Sequence, residues 1–223
     1  MKRLKAVLFD LDGTILDTLD DLCDAVNVAL ADKGYPARTR EEVRCFVGNG
    51  VESLMRKAVP VGTPDEKMYE ALAAFRADYE KRKENRTCPY AGVPALLAAL
   101  RARGVKVGVV SNKYDGAVRA LCEHYFPAQI DLAVGERVGV PRKPAPDGLL
   151  YAMKALGVSA DECVYVGDSG GDVVTAKNAG VPCIAVLWGF RDRADLSAAG
   201  ATLFAENVGE LASLLRDFSR DGA

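Results

Sequence analysis

From about residue 90 onward, short apolar runs alternate with segments of helical periodicity in this 223-residue chain. The runs predict strands at 105–110, 130–134, 162–166, 181–187 and 202–204, and the intervening segments predict helices at 115–124, 146–156, 171–179 and 208–218. Another buried strand is predicted at 6–9. This alternation is typical of a parallel sheet covered by helices on both faces. The sequence therefore predicts an α/β fold with a doubly wound, Rossmann-like parallel sheet.

Residues 18–86 interrupt this alternation. They contain no strand-like run, whereas apolar residues recur at helical spacing, as at Leu19, Leu22, Val26 and Leu30. We therefore expect an all-helical domain at 18–86, inserted after the first strand. The core domain would then consist of 1–17 and 87–223.

Charge and composition narrow the class of protein. With 29 basic and 31 acidic residues the net charge is −2, so no strong field attracts nucleic acid. No apolar run is long enough to cross a bilayer, and the run at 6–9 is too short for a secretion signal. The six cysteines have no Cys-x-x-Cys spacing, which favours reduced thiols. We therefore expect a cytoplasmic monomer or homodimer that binds neither nucleic acid nor membrane.

Two acidic residues, Asp10 and Asp12, follow the first predicted strand. Open α/β sheets bind their ligands at the carboxyl ends of the strands, where Asp10 is expected to lie. Two carboxylates so close together repel each other unless a divalent cation or a shared proton compensates them. A plain Asp-Gly turn is the alternative, and this motif alone does not decide between them.

Three further polar groups are predicted near the ends of later strands. Ser111 and Asn112 follow the strand at 105–110 and are suited to bind phosphate oxygens, although either residue could instead cap the next helix. Lys143 lies among prolines that stiffen its segment. Asp168 and Asp172 follow the strand at 162–166, and hard carboxylate oxygens are suited to Mg²⁺. A glycine-rich turn with an aspartate cap is the alternative for this last pair.

These groups together resemble the four ordered signatures of the haloacid dehalogenase-like superfamily. The signatures are Asp10-Leu11-Asp12-Gly13-Thr14, then Ser111-Asn112, then Lys143, then Gly167-Asp168-Ser169-Gly170-Gly171-Asp172. Their order extends over nearly the whole chain. The helical segment at 18–86 is similar to the cap domain that this superfamily inserts after its first signature.

The resemblance implies a role for each of these residues. Asp10 would be the nucleophile that forms an aspartyl-phosphate, and Asp12 the general acid and then the general base. Lys143 would neutralise charge on the nucleophile and the phosphate. Ser111, Asn112 and Thr14 would bind the phosphoryl group. Mg²⁺ would be held by Asp10, Asp168 and the backbone carbonyl of Asp12, with Asp172 assisting.

An aspartate at position 12 points to a phosphatase or phosphomutase, because haloacid dehalogenases and phosphonoacetaldehyde hydrolases lack it. A phosphomutase of the β-phosphoglucomutase type is expected to have a cap histidine, whereas Leu22 stands at the matching position and His124 is the only histidine. The resemblance implies a phosphoglycolate phosphatase-type enzyme acting on a small phosphorylated metabolite. A sugar phosphomutase, an inorganic pyrophosphatase and a non-catalytic phosphate-binding regulatory module stay open as alternatives.

The predicted cap carries the candidate substrate-binding loop Gly48-Asn49-Gly50, which resembles phosphoglycolate phosphatase-type sequences. Its amides or the Asn49 side chain could face a small anion, and a simple turn between helices is the equal alternative. Arg44 and Arg56 are candidates for pairing with a substrate carboxylate, although a surface position is favoured for both.

Overall fold

The computed structural model describes residues 3–220. Its strands are β1 Ala6–Phe9, β2 Leu16–Asp17, β3 Cys88–Pro89, β4 Lys106–Tyr114, β5 Leu132–Glu136, β6 Cys163–Gly167, β7 Cys183–Val186 and β8 Phe204–Ala205. Its α-helices are α1 Leu19–Asp32, α2 Arg40–Phe46, α3 Gly50–Ala58, α4 Asp65–Arg82, α5 Val93–Ala102, α6 Asp115–Tyr125, α7 Asp147–Leu156, α8 Gly170–Ala179, α9 Arg193–Ala198 and α10 Val208–Arg220. Within these residues, no helix combines the length and apolar character needed to cross a membrane.

Six strands form one sheet in the order β5-β4-β1-β6-β7-β8, and β2 pairs with β3 in a separate two-stranded sheet. Every strand pair of the large sheet is parallel. β1 lies in the middle of this order, with β4 and β5 on one side and β6, β7 and β8 on the other. This is the doubly wound parallel sheet that the alternation of the sequence predicts.

The two faces of the large sheet bury different side chains of the same strands. Val7 and Phe9 of β1 belong to an apolar cluster with residues of α5, α6 and α10, including Leu97, Val118 and Leu211. The alternate residues of β1, Ala6 and Leu8, belong to a second cluster with residues of α7 and α8, including Leu149 and Ala176. Because neighbouring strand residues point to opposite faces, the fully apolar run of β1 reflects burial on both sides.

The chain forms two compact units. One contains the described residues up to Leu16 together with those from Pro89 onward, and the other is Asp17–Cys88. The expected boundaries at 17/18 and 86/87 therefore shift to 16/17 and 88/89.

The second unit contains α1 to α4 and packs around its own apolar core. Leu22 and Leu30 of α1 are buried, as are Phe75 and Tyr79 of α4, whose rings stack with centroids 5.5 Å apart. The carboxylate of the buried Asp21 accepts hydrogen bonds from the backbone N–H groups of residues 86 and 87 and from the Thr87 hydroxyl. These bonds tie the end of the unit to the first turn of α1.

One predicted strand end is wrong, and the difference bears on the site. The strand predicted at 105–110 continues to Tyr114, so Ser111 and Asn112 lie inside β4 rather than after it. Its pairing with β5 shifts register between Val110 and Tyr114. The polar residues suggested a loop, but they are buried and have partners, which lets the backbone stay extended. The strand predicted at 130–134 also begins later, at Leu132.

Candidate active site

The predicted core residues meet at the carboxyl edge of the large sheet. Phe9, the last residue of β1, is opposite Val109 of β4 and Val166 of β6. Asp10 follows β1 directly, Ser111 lies two residues beyond Val109, and Asp168 follows β6 directly. The parallel register of three neighbouring strands thus brings together residues from the start, middle and end of the sequence.

Three buried carboxylates form an acidic cluster at this edge: Asp10, Asp168 and Asp172, with one oxygen of each within 4.8 Å of the others. Burial, followed by the charge of Asp172, raises the pKa of Asp10 from 3.8 to about 8. The same two causes raise the pKa of Asp168 to about 7. Like charges crowded in a dry environment favour protonation unless a cation is present.

Lys143 places its ammonium group directly against the acidic cluster. Its Nζ lies 2.9 Å from Asp10 Oδ1 and 2.6 Å from Asp172 Oδ1, and its side chain is only 6% exposed. Burial acts to lower the pKa of this lysine, but the two carboxylates outweigh burial and raise it. Lys143 is therefore a permanently charged partner for the cluster at neutral pH.

Asp172 organises the residues around it with both of its oxygens. Oδ1 accepts from Lys143 and lies 2.9 Å from the Tyr165 hydroxyl, which can donate to it. Oδ2 accepts from the backbone N–H and the hydroxyl of Ser169 in the capping box that begins α8. The aspartate-cap interpretation of this segment is thus part of the structure, and the same side chain also belongs to the acidic cluster. Its oxygens are more heavily engaged than those of Asp10.

Asp168 is fixed by two donors from separate loops. The Thr14 hydroxyl donates to Oδ1 at 3.0 Å, and the Phe190 backbone N–H donates to Oδ2 at 2.8 Å. Gly13 lies against this carboxylate with φ at +83°, and a Cβ there would stand 2.3 Å from Asp168 Oδ2. Glycine is therefore required at position 13 both by backbone conformation and by space. The phosphate-binding role expected of Thr14 stays a prediction, because here its hydroxyl holds Asp168.

Asn112 and Ser111 are buried beside this site. The Asn112 side chain accepts from the Lys143 backbone N–H at 2.8 Å and donates to the Lys143 carbonyl at 3.1 Å. This two-bond clamp fixes the backbone that carries the ammonium group. Ser111 Oγ accepts the backbone N–H of Lys113 at 3.3 Å. Neither residue caps α6, whose N-cap is Tyr114.

Asp12 is oriented differently from Asp10. Lys113 Nζ donates to both of its carboxylate oxygens, at 2.9 Å and 3.2 Å. Its carboxylate does not belong to the acidic cluster defined above, which comprises Asp10, Asp168 and Asp172. The side chain of Asp12 is therefore separate from the metal-ligand candidates, while Asp10 is one of them.

The donor set of this edge fits a divalent cation such as Mg²⁺. Four carboxylates (Asp10, Asp12, Asp168 and Asp172) face two ammonium groups (Lys113 and Lys143), which leaves a formal charge of −2. Asp10 Oδ1 is a buried oxygen that receives no well-directed hydrogen bond, although Lys143 is within ion-pair distance. Hard oxygen ligands with excess negative charge are what Mg²⁺ prefers.

A family model described as haloacid dehalogenase-like hydrolase matches residues 7–186. The chain belongs to the haloacid dehalogenase-like hydrolases. The matched range contains all three members of the acidic cluster as well as Lys143.

Two similar proteins are named phosphoglycolate phosphatase. That of Rhodospirillum rubrum is 37% identical over 220 residues, an alignment covering 95% of this chain and 90% of the relative. That of Pseudomonas savastanoi pv. phaseolicola is 36% identical over 195 residues, covering 85% of this chain and 71% of the relative.

A solved structure extends the similarity to the fold. A protein of Lactobacillus delbrueckii subsp. bulgaricus, itself proposed to be a phosphoglycolate phosphatase, has a TM-score of 0.91 and 36% identity. The alignment covers 96% of this chain and 98% of that one. The α/β core and the helical residues inserted into it are therefore shared with that protein.

The predicted cap residues of this haloacid dehalogenase-like hydrolase lie in the helical unit. Gly48 and Asn49 form an exposed turn between α2 and α3, and Gly50 begins α3. Gly48 and Gly50 have positive φ angles of 124° and 80°, which explains the glycines without a ligand. Substrate binding by this turn stays a prediction. Arg44 pairs with Glu41, and Arg56 pairs with Glu52 and Asp65, so both candidate arginines already have carboxylate partners.

Three residues at the hydrolase site escaped the sequence analysis. Lys113 carried a usable signal, because it is a basic residue directly after Ser111-Asn112 in the same polar segment. Tyr165 looked like one more apolar residue of a buried strand. Phe190 contributes only its backbone N–H, for which the sequence holds no signal.

Proposed function

We propose that this chain is a Mg²⁺-dependent phosphatase that hydrolyses a small phosphomonoester through an aspartyl-phosphate, with 2-phosphoglycolate as the preferred substrate. The observation that carries the proposal is the acidic cluster with Lys143 against it, at the carboxyl edge of the sheet. The names of two similar relatives support the choice of substrate.

Asp10 is the nucleophile in this proposal. Its carboxylate attacks the phosphorus atom, a bond forms between a carboxylate oxygen and phosphorus, and the bond from phosphorus to the ester oxygen breaks. Lys143, 2.9 Å from Asp10 Oδ1, offsets the negative charge that carboxylate and phosphate bring together. Ser111 binds the phosphoryl group, Asn112 supports the site by fixing the Lys143 backbone, and Thr14 keeps Asp168 in place.

Asp12 is the general acid and then the general base of the proposed reaction. It gives a proton to the departing alcohol oxygen, and it then takes one from the water that attacks the phosphorus atom of aspartyl-phosphate. This attack breaks the bond between phosphorus and the Asp10 oxygen, which releases phosphate and restores the Asp10 carboxylate. Two carboxylates near one phosphorus atom can divide these tasks because their surroundings differ: Asp10 lies in the acidic cluster, whereas Asp12 contacts Lys113.

Asp10, Asp168 and the backbone carbonyl of Asp12 would hold Mg²⁺, and Asp172 would act through its hydrogen bonds and through water. When bound, Mg²⁺ would supply positive charge beside the transferring phosphoryl group. The four hydrogen-bond contacts already made by Asp172 support an indirect role for it.

The helical unit would serve as the cap, with Gly48, Asn49 and Gly50 contributing to substrate binding. A monomeric or homodimeric state and a cytoplasmic location complete the proposal.

Phosphate release from a panel of phosphorylated metabolites, with and without Mg²⁺, tests the proposal. We expect 2-phosphoglycolate to have the highest kcat/KM, turnover to require the metal, and Asp10→Asn to lose at least about 1,000-fold in kcat. Asp192→Asn, a substitution outside the acidic cluster, is the control. Full metal-dependent turnover by Asp10→Asn would refute the nucleophile.

The same panel separates the alternatives. Isomerisation of a sugar phosphate without net phosphate release would indicate a phosphomutase, and a preference for pyrophosphate would indicate a pyrophosphatase. Binding without turnover of any substrate would indicate a non-catalytic module.

A further inference from the structure

Lys113 is a second buried ammonium group, and the roles above leave it without a task. Its side chain is 5% exposed, and its Nζ contacts the Asp12 carboxylate. Burying an ammonium group costs free energy even when a carboxylate accompanies it. The acidic cluster already has Lys143 as its cation, so neutralising that cluster does not explain Lys113.

The position of Lys113 links two parts of the proposed reaction centre. It follows Ser111 by two residues in β4, and its backbone N–H donates to Ser111 Oγ at 3.3 Å. Its ammonium group reaches Asp12 on the neighbouring chain segment after β1. Lys113 therefore lies between the residue proposed to bind the phosphoryl group and the residue proposed to act on the departing oxygen.

We propose that Lys113 binds an acidic group on the leaving part of the substrate, exchanging the Asp12 carboxylate for that group when substrate binds. The inference rests on the proposed function, because it takes Asp12 to act at the ester oxygen. An ammonium group 2.9 Å from Asp12 then stands beside any substituent that the departing alcohol carries. In 2-phosphoglycolate a carboxylate is attached to the carbon that bears the ester oxygen.

The exchange would make binding of the substrate anion by Lys113 a condition for catalysis by Asp12. A substrate anion that takes over the Lys113 ammonium group frees the Asp12 carboxyl group to carry the proton that it gives to the departing oxygen, whereas a neutral alcohol leaves Asp12 as a carboxylate bound to Lys113. The substrate class is therefore phosphoesters with an anion next to the ester carbon, and pyrophosphate presents comparable chemistry through its leaving phosphate.

The cations predicted for this task are engaged elsewhere. Arg44 forms a 2.7 Å ion pair with Glu41, and Arg56 forms ion pairs with Glu52 and Asp65. Both arginines belong to the helical unit, and both have their ion-pair partners within it. Lys113 is buried in the core unit and contacts a residue of the proposed chemistry, which favours it over either arginine.

The test measures kcat/KM for three substrates: 2-phosphoglycolate, pyrophosphate and 2-hydroxyethyl phosphate, which has a neutral group in place of the carboxylate. The variants are Lys113→Met, Lys113→Arg and the control Lys154→Met, which removes an exposed charge from α7. We expect Lys113→Met to lose about 100-fold on 2-phosphoglycolate and less than about 5-fold on 2-hydroxyethyl phosphate. Lys113→Arg should recover part of the preference, and Lys154→Met should match the parent protein. A larger loss on pyrophosphate than on 2-phosphoglycolate would assign the subsite to a phosphate leaving group.

Binding provides a readout without turnover. Calorimetric titration of 2-phosphoglycolate into Asp10→Asn and into Asp10→Asn/Lys113→Met should show at least about 10-fold weaker binding in the double variant. Equal losses on the charged and neutral substrates, in a variant with unchanged thermal unfolding, would overturn the inference.

If Lys113→Met does not fold, the same comparison is made with Lys113→Arg, which must lose more on 2-phosphoglycolate than on the neutral ester. Absence of all phosphatase activity in the parent protein would instead refute the proposed function, and the binding comparison would then decide the inference alone.

Discussion

Tyr165 and Asp172 fix the position of the Lys143 ammonium group through hydrogen bonds. The Lys143 ammonium group donates to the Tyr165 hydroxyl at 3.0 Å and to Asp172 at 2.6 Å. That hydroxyl in turn lies 2.9 Å from Asp172 and 3.1 Å from the Val110 carbonyl oxygen. Because a fully bonded, buried polar network allows few arrangements, the direction of the ammonium group is set before substrate arrives.

Replacing Tyr165 by phenylalanine should therefore reduce catalysis while leaving the fold intact. We expect kcat to fall about 10-fold with little change in KM, because the variant removes one hydrogen bond to a charged group and keeps the ring. Steady-state kinetics and thermal unfolding measure the two effects. Tyr151→Phe, at an exposed position of α7, is the matched control. An unchanged kcat in Tyr165→Phe would show that Lys143 needs no such support.

Metal binding should release protons, because the metal-free acidic cluster retains them near neutral pH. Burial and Asp172 raise the pKa of Asp10 to about 8 and that of Asp168 to about 7. Mg²⁺ must displace those protons, so its affinity should fall as pH decreases below about 8.

Calorimetric titration of Mg²⁺ at pH 6.5 and 8.5, in buffers of different ionisation enthalpy, counts the protons released. Fluorescence of Trp188 gives an independent signal, because its indole N–H donates to the Thr14 carbonyl at 3.0 Å and it is the only tryptophan. An affinity that is the same at both pH values, with no proton release, would contradict the raised pKa values.

At the scale of elements, the turn after β1 packs so closely against Asp168, which follows β6, that it has no space for a side chain at position 13. Gly13 has a φ of +83°, and a Cβ there would stand 2.3 Å from Asp168 Oδ2. Gly104 has a similar φ of +73°, but no heavy atom lies within 4 Å of a Cβ built there. The two glycines therefore share a left-handed backbone conformation that would strain any other residue, and they differ in the space available for a Cβ.

Substituting alanine at each position separates the two effects. Gly104→Ala should lose about 1 kcal/mol of unfolding free energy through backbone strain alone. Gly13→Ala should lose roughly 3 kcal/mol and also bind Mg²⁺ at least about 10-fold more weakly, because Asp168 must move. Chemical denaturation and metal titration measure both quantities. Equal behaviour of the two variants would mean that the turn tolerates a Cβ.

Strand and helix patterns were sufficient to predict the sheet, because apolar runs such as β1 and β6 are buried on both faces. The ends of elements were less predictable. Ser111 and Asn112 looked like a strand end because they are polar, yet their hydrogen bonds keep them inside β4. The short helix α9 lacks enough residues for a periodic signal.

In the candidate site, too, some residues could be predicted from the sequence and others could not. The acidic pairs beside glycine were visible in the sequence because each follows a predicted strand, at the edge where open α/β sheets bind their ligands. The contact between Asp12 and Lys113 joins residues 101 positions apart, and it depends on the register of β1 with β4. The Phe190 backbone N–H donates to Asp168, and this contact depends only on the conformation of the loop that carries Phe190.

For the whole molecule, the acidic cluster couples stability to pH. Asp10 has an ordinary pKa of 3.8 and a folded-state pKa of about 8, so between these values the folded chain holds a proton that the unfolded chain has lost. Since the folded state binds more protons in this window, stability without metal should fall as pH rises from about 4 to about 8.

Thermal unfolding at pH 5 and pH 8, with and without Mg²⁺, tests this coupling. The stabilisation by Mg²⁺ should be larger at pH 8, where it binds the ionised cluster of the folded state. The Asp10→Asn variant should show a weaker dependence on pH, because its amide does not titrate. A metal-free protein that becomes more stable from pH 5 to pH 8 through this cluster would contradict the sign.

Rapid acid quenching during turnover of 2-phosphoglycolate, followed by peptide mass spectrometry, tests the central claim most directly. The account predicts a transient phosphoryl group on the peptide that contains Asp10, decaying when substrate is exhausted and absent from Asp10→Asn. Phosphate on a different residue, or full turnover with Asp10 never phosphorylated at any quench time, would contradict the account.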